Sequence, residues 1–157
     1  MTRCSTILLP DATATHTLGF NLGQKLPPHT IILLEGDLGA GKTTLVQGIG
    51  AGLGITSSIV SPTFTIIIEY PEGRLPLYHF DLYRLTPSEV AQLQPETYWE
   101  GIEFPPGIVA IEWPDRLPYL PQDYLRLHIT YEQHQRQAQL IPIGNFVGLQ
   151  PSLLQSS

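Results

Sequence analysis

One short segment of the chain carries glycine, lysine and threonine at the spacing of a phosphate-binding loop. Residues 36–43 read Gly-Asp-Leu-Gly-Ala-Gly-Lys-Thr and match the pattern G-x-x-x-x-G-K-[ST] in full. Glycines allow consecutive backbone N–H groups to face an anion, Lys42 adds a point charge for the β- and γ-phosphates, and the Thr43 hydroxyl can ligate Mg²⁺. At this composition the pattern arises by chance at roughly one position in 70,000. The segment therefore predicts binding of a nucleoside triphosphate with magnesium.

Two carboxylates are candidates for the rest of a magnesium site. A loop of this kind needs a second carboxylate that holds Mg²⁺ through water, normally at the end of a neighbouring buried strand. Glu112 closes the apolar run at 108–111 and is expected to take this role. Asp81, in the segment 79–84, is the other candidate, as a group that fixes the metal or positions the attacking water. For both residues the alternative is a strand carboxylate that faces solvent.

His79 precedes Asp81 by two residues, so the two side chains are expected on one face of a strand. One hypothesis is that His79 orients Asp81. The favoured alternative is a half-buried histidine that hydrogen-bonds to the backbone.

The asparagines and arginines bear on the nucleotide and on the reaction. Guanine-specific proteins of this class usually carry Asn-Lys-x-Asp, whereas Asn21 and Asn145 do not precede a lysine, which favours ATP over GTP. A small-molecule kinase usually brings a lid with several basic residues. Here the arginines after the loop are scattered over positions 74, 84, 116, 126 and 136. This scatter argues for ATP hydrolysis or for a nucleotide-gated scaffold whose ATP state docks to a partner; the other alternative is a small-molecule kinase.

The elements that must position these residues are predicted from hydrophobic periodicity and from glycine and proline. Residues 11–26 have helical spacing with Asp11 as N-cap and Pro27 as stop, and a second helix is predicted at 43–53, weakened by glycines. The remaining elements are buried strands at 30–34 and 108–113, a hairpin of 63–70 and 75–82, one or two helical turns at 88–93, and an antiparallel pair of 124–131 and 137–143.

These elements predict an α/β fold. We expect a single P-loop NTPase domain over residues 1–143, with a mixed central sheet, a β-hairpin and few flanking helices. Residues 144–157 are expected to form a C-terminal tail.

Composition limits the partners and the compartment. The chain of 157 residues has a formal net charge of −6, and its lysines are Lys25 and Lys42, so it lacks the basic stripe of a stand-alone nucleic-acid binder. The single cysteine, Cys4, excludes an internal disulfide and a cysteine-based metal site. The apolar runs are too short for a membrane span or a signal peptide. We expect a cytoplasmic protein that does not bind membranes.

Four sequence blocks stand out: GDLGAGKTTL at 36–45, SPTFT at 61–65, YHFDLYRL at 78–85 and IEWP at 111–114. Together they resemble the TsaE family of P-loop ATPases in bacterial tRNA threonylcarbamoyladenosine biosynthesis. The likeness extends over about residues 7–143, and the last three blocks are more specific than the phosphate loop. The resemblance implies a P-loop α/β sheet with some antiparallel strands and few helices.

The resemblance also implies roles for individual residues. The triphosphate would be held by Lys42 and by the loop backbone, through Gly39, Ala40, Gly41, Thr43 and Thr44. Thr43 and Glu112 would hold Mg²⁺, and Asp81 would lie near the metal and the γ-phosphate, so that the expected catalytic residues are Lys42, Asp81 and Glu112. Thr63 would sense the γ-phosphate from a switch-like loop, and Trp113 would form a wall of the site. Arg136, Asp11 and Thr15 would lie near the base.

The function implied by the resemblance is that of a subunit. Family members act with TsaB and TsaD, and their Mg²⁺-dependent ATP hydrolysis supports threonylcarbamoylation of the tRNA adenosine next to the anticodon. Contact with tRNA would be indirect, through these partners. The segment 93–99, LQPETYW, departs from the family's usual Gly-Ile/Leu-x-Asp/Glu-Tyr, so its loop conformation is not carried over.

Overall fold

The computed structural model describes residues 4–37, 39, 41–62, 64–132 and 134–148. Within them, seven strands form one mixed sheet: β1 Ser5–Leu9, β2 Thr30–Glu35, β3 Ile67–Tyr70, β4 Leu77–Asp81, β5 Ile108–Glu112, β6 Tyr124–Glu132 and β7 Gln135–Ile143. The helices are α1 Ala12–Lys25, α2 Lys42–Leu53, α3 Pro87–Leu93 and α4 Thr97–Glu100, with 3-10 helices at Pro114–Arg116 and Gly144–Gly148. The order across the sheet is β1-β7-β6-β2-β5-β4-β3.

The centre of the sheet is parallel and its margins are antiparallel. Strand β2 pairs in parallel with both β5 and β6, and β4 pairs in parallel with β5. Antiparallel pairs join β3 to β4, β6 to β7 and β7 to β1. A strand buried on both faces needs apolar side chains throughout, and the first five residues of β2 are all buried. The predicted mixed sheet with a hairpin and few flanking helices is confirmed.

The predicted elements recur with small differences at their ends. Asp11 caps α1 as expected, since its Oδ1 accepts a hydrogen bond of 2.8 Å from the Ala14 N–H. Strand β3 begins at Ile67 and is therefore shorter than the predicted strand from residue 63. Strand β1 and helix α4 were not predicted. The segment expected as a tail starts with the 3-10 helix, where the Asn145 N–H donates to Asp123; the domain boundary at residue 143 stays a prediction.

Helices α1 and α2 cover one face of the sheet and touch through glycines. Gly19 and Gly23 of α1 face Gly48 and Gly52 of α2, and a Cβ built at any of the four would collide with backbone of the other helix. Glycine lowers helix propensity, but here its missing side chain lets the two backbones approach. The lower helix propensity is thus offset by the close packing of α1 on α2, in which Leu18, Leu22, Leu45 and Ile49 are buried.

The opposite face of the sheet is covered by an aromatic cluster. Tyr98 of α4 packs edge-to-face on Tyr78 and Phe80 of β4 and stacks on Phe104, with ring centroids 4.2–5.4 Å apart.

No helix among the described residues is long and apolar enough to cross a membrane.

Replacing Gly48 by alanine tests the close helix contact. We expect Gly48→Ala to lower the free energy of unfolding by about 1–3 kcal/mol, because the new methyl group would overlap the carbonyl oxygen of His16. Urea unfolding followed by circular dichroism measures the change. Gln24→Ala, at an exposed position of α1, is the control and should stay within about 0.5 kcal/mol of the unmodified chain. An equal stability of the two variants would contradict the packing argument.

Candidate functional site

The parallel strands bring the acidic residues to one edge of the sheet. Glu112 is the last residue of β5, and its register partners are Leu34 of β2 and Asp81, the last residue of β4. The glycine-rich loop follows β2 directly, so the loop and both carboxylates lie at the carboxyl ends of adjacent strands. This edge is where open α/β sheets bind ligands.

The glycine-rich loop leads into helix α2 through Gly41. Gly41 has φ of 108° and is the N-cap, and its carbonyl accepts the first helical hydrogen bond from Leu45. Few residues other than glycine adopt this conformation without strain. Leu38 and Ala40 lie outside the described residues, as does Thr63. The N-terminal end of α2 thus points its unpaired N–H groups toward the loop, an arrangement that favours anions.

A cavity of about 440 Å³ opens at this edge. Such a volume lies in the range of small-molecule sites. It is lined by residues of the loop and α2, of α1, and of the ends of β4, β5 and β7: Ala12, Thr15, Gly39, Gly41, Lys42, Thr43, Thr44, Ser61, Asp81, Tyr83, Arg84, Glu112, Trp113 and Arg136. The structure therefore brings together most of the residues that the sequence singled out.

Lys42 is buried at the base of the cavity. Its side chain is held between Gly36, whose carbonyl accepts a hydrogen bond of 2.7 Å from Nζ, and Trp113, whose ring centroid lies 4.5 Å from Nζ. Only 6% of Lys42 is exposed. Because an ammonium has three donors and one is used here, Lys42 can donate to an anion without leaving its place.

Trp113 lines the cavity, in the place that the family resemblance implies. Its ring also packs on Tyr83, with centroids 4.7 Å apart, so that the two aromatic side chains support the ammonium of Lys42. The backbone of Trp113 has φ of 60°, a left-handed conformation that is rare for a bulky residue. The turn immediately after Glu112 is therefore strained and is held by the packing of the indole ring.

Glu112 is buried and hydrogen-bonded to His79. The distance from His79 Nε2 to Glu112 Oε2 is 2.7 Å, and the two residues are 0% and 4% exposed. The favoured prediction for His79, a half-buried side chain bonded to the backbone, is wrong, because the β4–β5 pairing places Glu112 within its reach. The hypothesis that His79 orients Asp81 also names the wrong carboxylate. This contact joins residues 33 apart in sequence, so local spacing could not reveal it.

Asp81 and Thr43 add a carboxylate and a hydroxyl to the lining of the cavity. Asp81 Oδ1 accepts a hydrogen bond of 3.1 Å from the Tyr83 N–H, which fixes the carboxylate at the end of β4. Thr43 stands in the first turn of α2 and lines the same cavity. Hydroxyl and carboxylate oxygens are the ligands that Mg²⁺ prefers, usually one or two carboxylates together with water and phosphate. The donors present are therefore of the kind that a magnesium ion with bound phosphates requires.

The three residues expected near a base are placed differently from one another. Thr15 is buried and lines the cavity. Arg136 lines it too, with Nη2 3.5 Å from the Gly39 carbonyl oxygen and its guanidinium over the Tyr131 ring at 5.3 Å. Asp11 caps α1 and lines a separate groove beside β1.

The arginines after the loop divide between the cavity and other contacts. Arg84 and Arg136 line the cavity, whereas Arg74 donates to the carbonyls of Gly23 and Leu26 at the end of α1. Arg126 is paired with Glu35 at 2.6 Å, and Arg116 lies near the Leu85 carbonyl. Arg84 and Tyr83 were not singled out as site residues, although their position just after Asp81 was a usable signal.

The fold and the site define a mixed α/β domain in which a glycine-rich loop joins a buried parallel strand to a helix, with carboxylates at the adjoining strand ends. Comparison with known families then identifies the family to which this domain belongs. The model of the family described as Threonylcarbamoyl adenosine biosynthesis protein TsaE matches residues 9–139. The chain belongs to the TsaE family.

Individual proteins support this assignment. The chain is 61% identical over 139 residues to the tRNA threonylcarbamoyladenosine biosynthesis protein TsaE of Nostoc sp., covering 88% of this chain and 86% of that protein. It is 66% identical over 113 residues to the protein of the same name from Synechocystis sp., covering 72% of each. A crystal structure of Bacillus subtilis YdiB has a TM-score of 0.78 at 32% identity, and the match covers 94% of this chain and 90% of that one.

Substitutions of Trp113 test the aromatic support of Lys42. We expect Trp113→Leu to lower the free energy of unfolding by about 1–2 kcal/mol, because it removes both the ring under the ammonium and the Tyr83 contact. Trp113→Phe keeps an aromatic ring and the same backbone strain, and should lose less than half as much. Urea unfolding followed by far-ultraviolet circular dichroism gives both values. Equal losses in the two variants would mean that the ring contributes nothing beyond its bulk.

Proposed function

We propose that this protein binds ATP with Mg²⁺ and hydrolyses it as a cytoplasmic subunit of the system that forms threonylcarbamoyladenosine in tRNA. The observation that carries the proposal is the convergence of Lys42, Thr43, Asp81 and Glu112 on one cavity at the end of the phosphate-loop strand. Membership in a family whose relatives are named for this biosynthesis supports the tRNA modification.

The loop and Lys42 are the groups that would hold the triphosphate. The N–H groups at the start of α2 and the backbone of Gly39 and Gly41 supply donors, and the buried ammonium supplies full charge. Burial strengthens this attraction, because the local dielectric is lower than in water. The position of Lys42 is already fixed by Gly36 and Trp113, so little side-chain entropy is lost on binding.

Thr43 and Glu112 are the residues that would hold Mg²⁺, with Asp81 beside them. When bound, the ion would neutralise charge on the phosphate oxygens. Asp81 is the register partner of Glu112 on the adjacent strand, where its carboxylate can orient a water molecule for attack on the terminal phosphate. Thr15 and Arg136 line the same cavity and are available to the base.

The partners in this proposal are TsaB and TsaD, and tRNA is reached only through them. A formal net charge of −6 is consistent with indirect contact, because the chain offers few cations to displace phosphate counterions. The energy of ATP hydrolysis would support turnover of the modifying complex, which transfers the threonylcarbamoyl group to the adenosine next to the anticodon.

Reconstitution tests the whole proposal. Unmodified tRNA is incubated with TsaB, TsaD, the enzyme that makes the threonylcarbamoyl donor, and ATP, with and without this chain, and the modified nucleoside is counted by mass spectrometry. Multiple-turnover modification should require this chain. Modification at the same rate and extent without the chain, or a folded chain that binds no ATP, would contradict the proposal.

The first site prediction concerns the phosphate charge. Lys42→Ala should weaken ATP binding by about 2–4 kcal/mol, roughly 30-fold to several hundred-fold, because a desolvated charge on the phosphates is lost. Isothermal calorimetry with Mg²⁺ present measures the affinity. Lys25→Ala removes an equal charge from an exposed position at the end of α1 and is the matched control. Similar affinities for the two variants would remove Lys42 from the site.

The second site prediction separates metal binding from nucleotide binding. Glu112→Gln keeps the volume of the side chain and an oxygen that can accept from His79, but it loses the charge. We expect ATP affinity in EDTA within about threefold of the unmodified chain and Mg²⁺-dependent turnover reduced by about 100-fold or more. Glu103→Gln, at an exposed position, should have no effect on either measurement. Full turnover in Glu112→Gln would exclude Glu112 as a metal ligand.

A further inference from the structure

His79 is a buried imidazole that makes one side-chain hydrogen bond. Its Nε2 lies 2.7 Å from Glu112 Oε2, and because a carboxylate can only accept, Nε2 is the donor. Among the described residues, the other ring nitrogen, Nδ1, is buried and has no hydrogen-bond partner. A histidine kept only to fill the core would be expected to satisfy both nitrogens. The imidazole instead directs its one hydrogen bond at the carboxylate that lines the cavity.

The backbone fixes both ends of this hydrogen bond. His79 lies in the middle of β4 and pairs with Ala110 of β5, two residues before Glu112. The small side chain of Ala110 leaves space on this face of the sheet, and Ile68 of β3 pairs with His79 from the other side. Since both strands lie inside the sheet and His79 is fully buried, the donor cannot move far from Glu112 Oε2.

We propose that His79 is a positioning residue that holds the Glu112 carboxylate in the orientation required for Mg²⁺. Glutamate has three side-chain torsions, and an unsupported carboxylate at a strand end would adopt several rotamers. The bond to Oε2 fixes the last torsion and leaves the second oxygen for the cation or its water. Groups that orient a metal ligand commonly change metal affinity or activity by 10–100-fold when they are removed. This inference rests on the proposed function, because it assigns Glu112 to the metal.

Two substitutions at position 79 separate orientation from simple packing. His79→Leu fills a similar space without a donor, whereas His79→Gln presents an amide N–H near the former position of Nε2. The probe is Mn²⁺ in place of Mg²⁺, titrated into the ATP-analogue complex and followed by electron paramagnetic resonance. Nucleotide affinity in EDTA is measured in parallel by calorimetry, and thermal unfolding of the chain without nucleotide reports on packing.

We expect His79→Leu to raise the Mn²⁺ dissociation constant 10–100-fold while nucleotide affinity in EDTA changes less than threefold. In steady-state kinetics kcat should fall, and KM for ATP at saturating Mg²⁺ should change little. His79→Gln should recover most of the lost metal affinity. If His79→Leu does not fold, His79→Asn replaces it, because its amide is one bond too short to reach Oε2 from the same backbone position.

The result that overturns the positioning role is a folded variant without the donor that binds Mn²⁺ within twofold of the unmodified chain. A His79→Gln variant that is folded but as defective as the variant without a donor would also overturn it. Failure of the proposed function gives a different result, since the unmodified chain would then show no nucleotide-dependent Mn²⁺ binding. The double variant His79→Leu/Glu112→Gln should be no worse for Mn²⁺ than Glu112→Gln alone, because His79 acts through Glu112.

Discussion

The burial of two opposite charges at one edge of the sheet is the constraint on which the site depends. Lys42 is 6% exposed and Glu112 is 4% exposed, and a buried charge is costly unless it is paired or hydrogen-bonded. Within the described residues the two are not paired with each other. Each has its own support instead, Lys42 from Gly36 and Trp113 and Glu112 from His79. Because neither charge neutralises the other, both remain available to a ligand that carries phosphate and a cation.

The rest of the fold can be understood as the means of holding these groups in place. Parallel pairing of β2, β5 and β4 sets Glu112 and Asp81 side by side at the strand ends. The glycine contact between α1 and α2 brings Thr15 to within 3.6 Å of a Cβ position on Gly41, so the first helix closes one side of the loop. A bulkier helix contact would separate α1 from α2 and widen the cavity at that side. Helix packing and loop geometry are therefore linked.

Much of the fold could be predicted from the sequence, because its signals are local. The apolar run of β2, the glycine-rich loop and the Asp11 cap each specify structure within a few residues. Strand β1 was missed because Ser5–Leu9 is short. Its alternating burial results from pairing with β7, which lies about 130 positions away in the sequence. Gly48 and Gly52 of α2 were interpreted as weak points of a helix for the same reason, since the backbone that they contact belongs to α1.

The residues of the site, too, could be predicted only where the sequence signal is local. Glu112 could be placed from the apolar run before it, but the partner of His79 depended on which strands are neighbours in the sheet.

Tertiary placement also governs the loop that contains Ser61, which lines the cavity. That loop ends at Ile66, whose φ of 70° is strained for a β-branched residue and costs of order 1–3 kcal/mol. Ile66 is held there by a hydrogen bond from its N–H to the Pro62 carbonyl and another from the Asp81 N–H to its own carbonyl.

The strain at Ile66 therefore lies immediately before β3, where the backbone is hydrogen-bonded to the end of β4. Strand β4, which ends at Asp81, pairs with β3 and β5, and strand β5, which ends at Glu112, pairs with β2 and β4. Since the Asp81 N–H is bonded to Ile66, a change in the backbone of the loop must either break this bond or shift the end of β4. The two carboxylates are thus carried at the ends of paired strands, and the position of Asp81 is coupled to the backbone at Ile66.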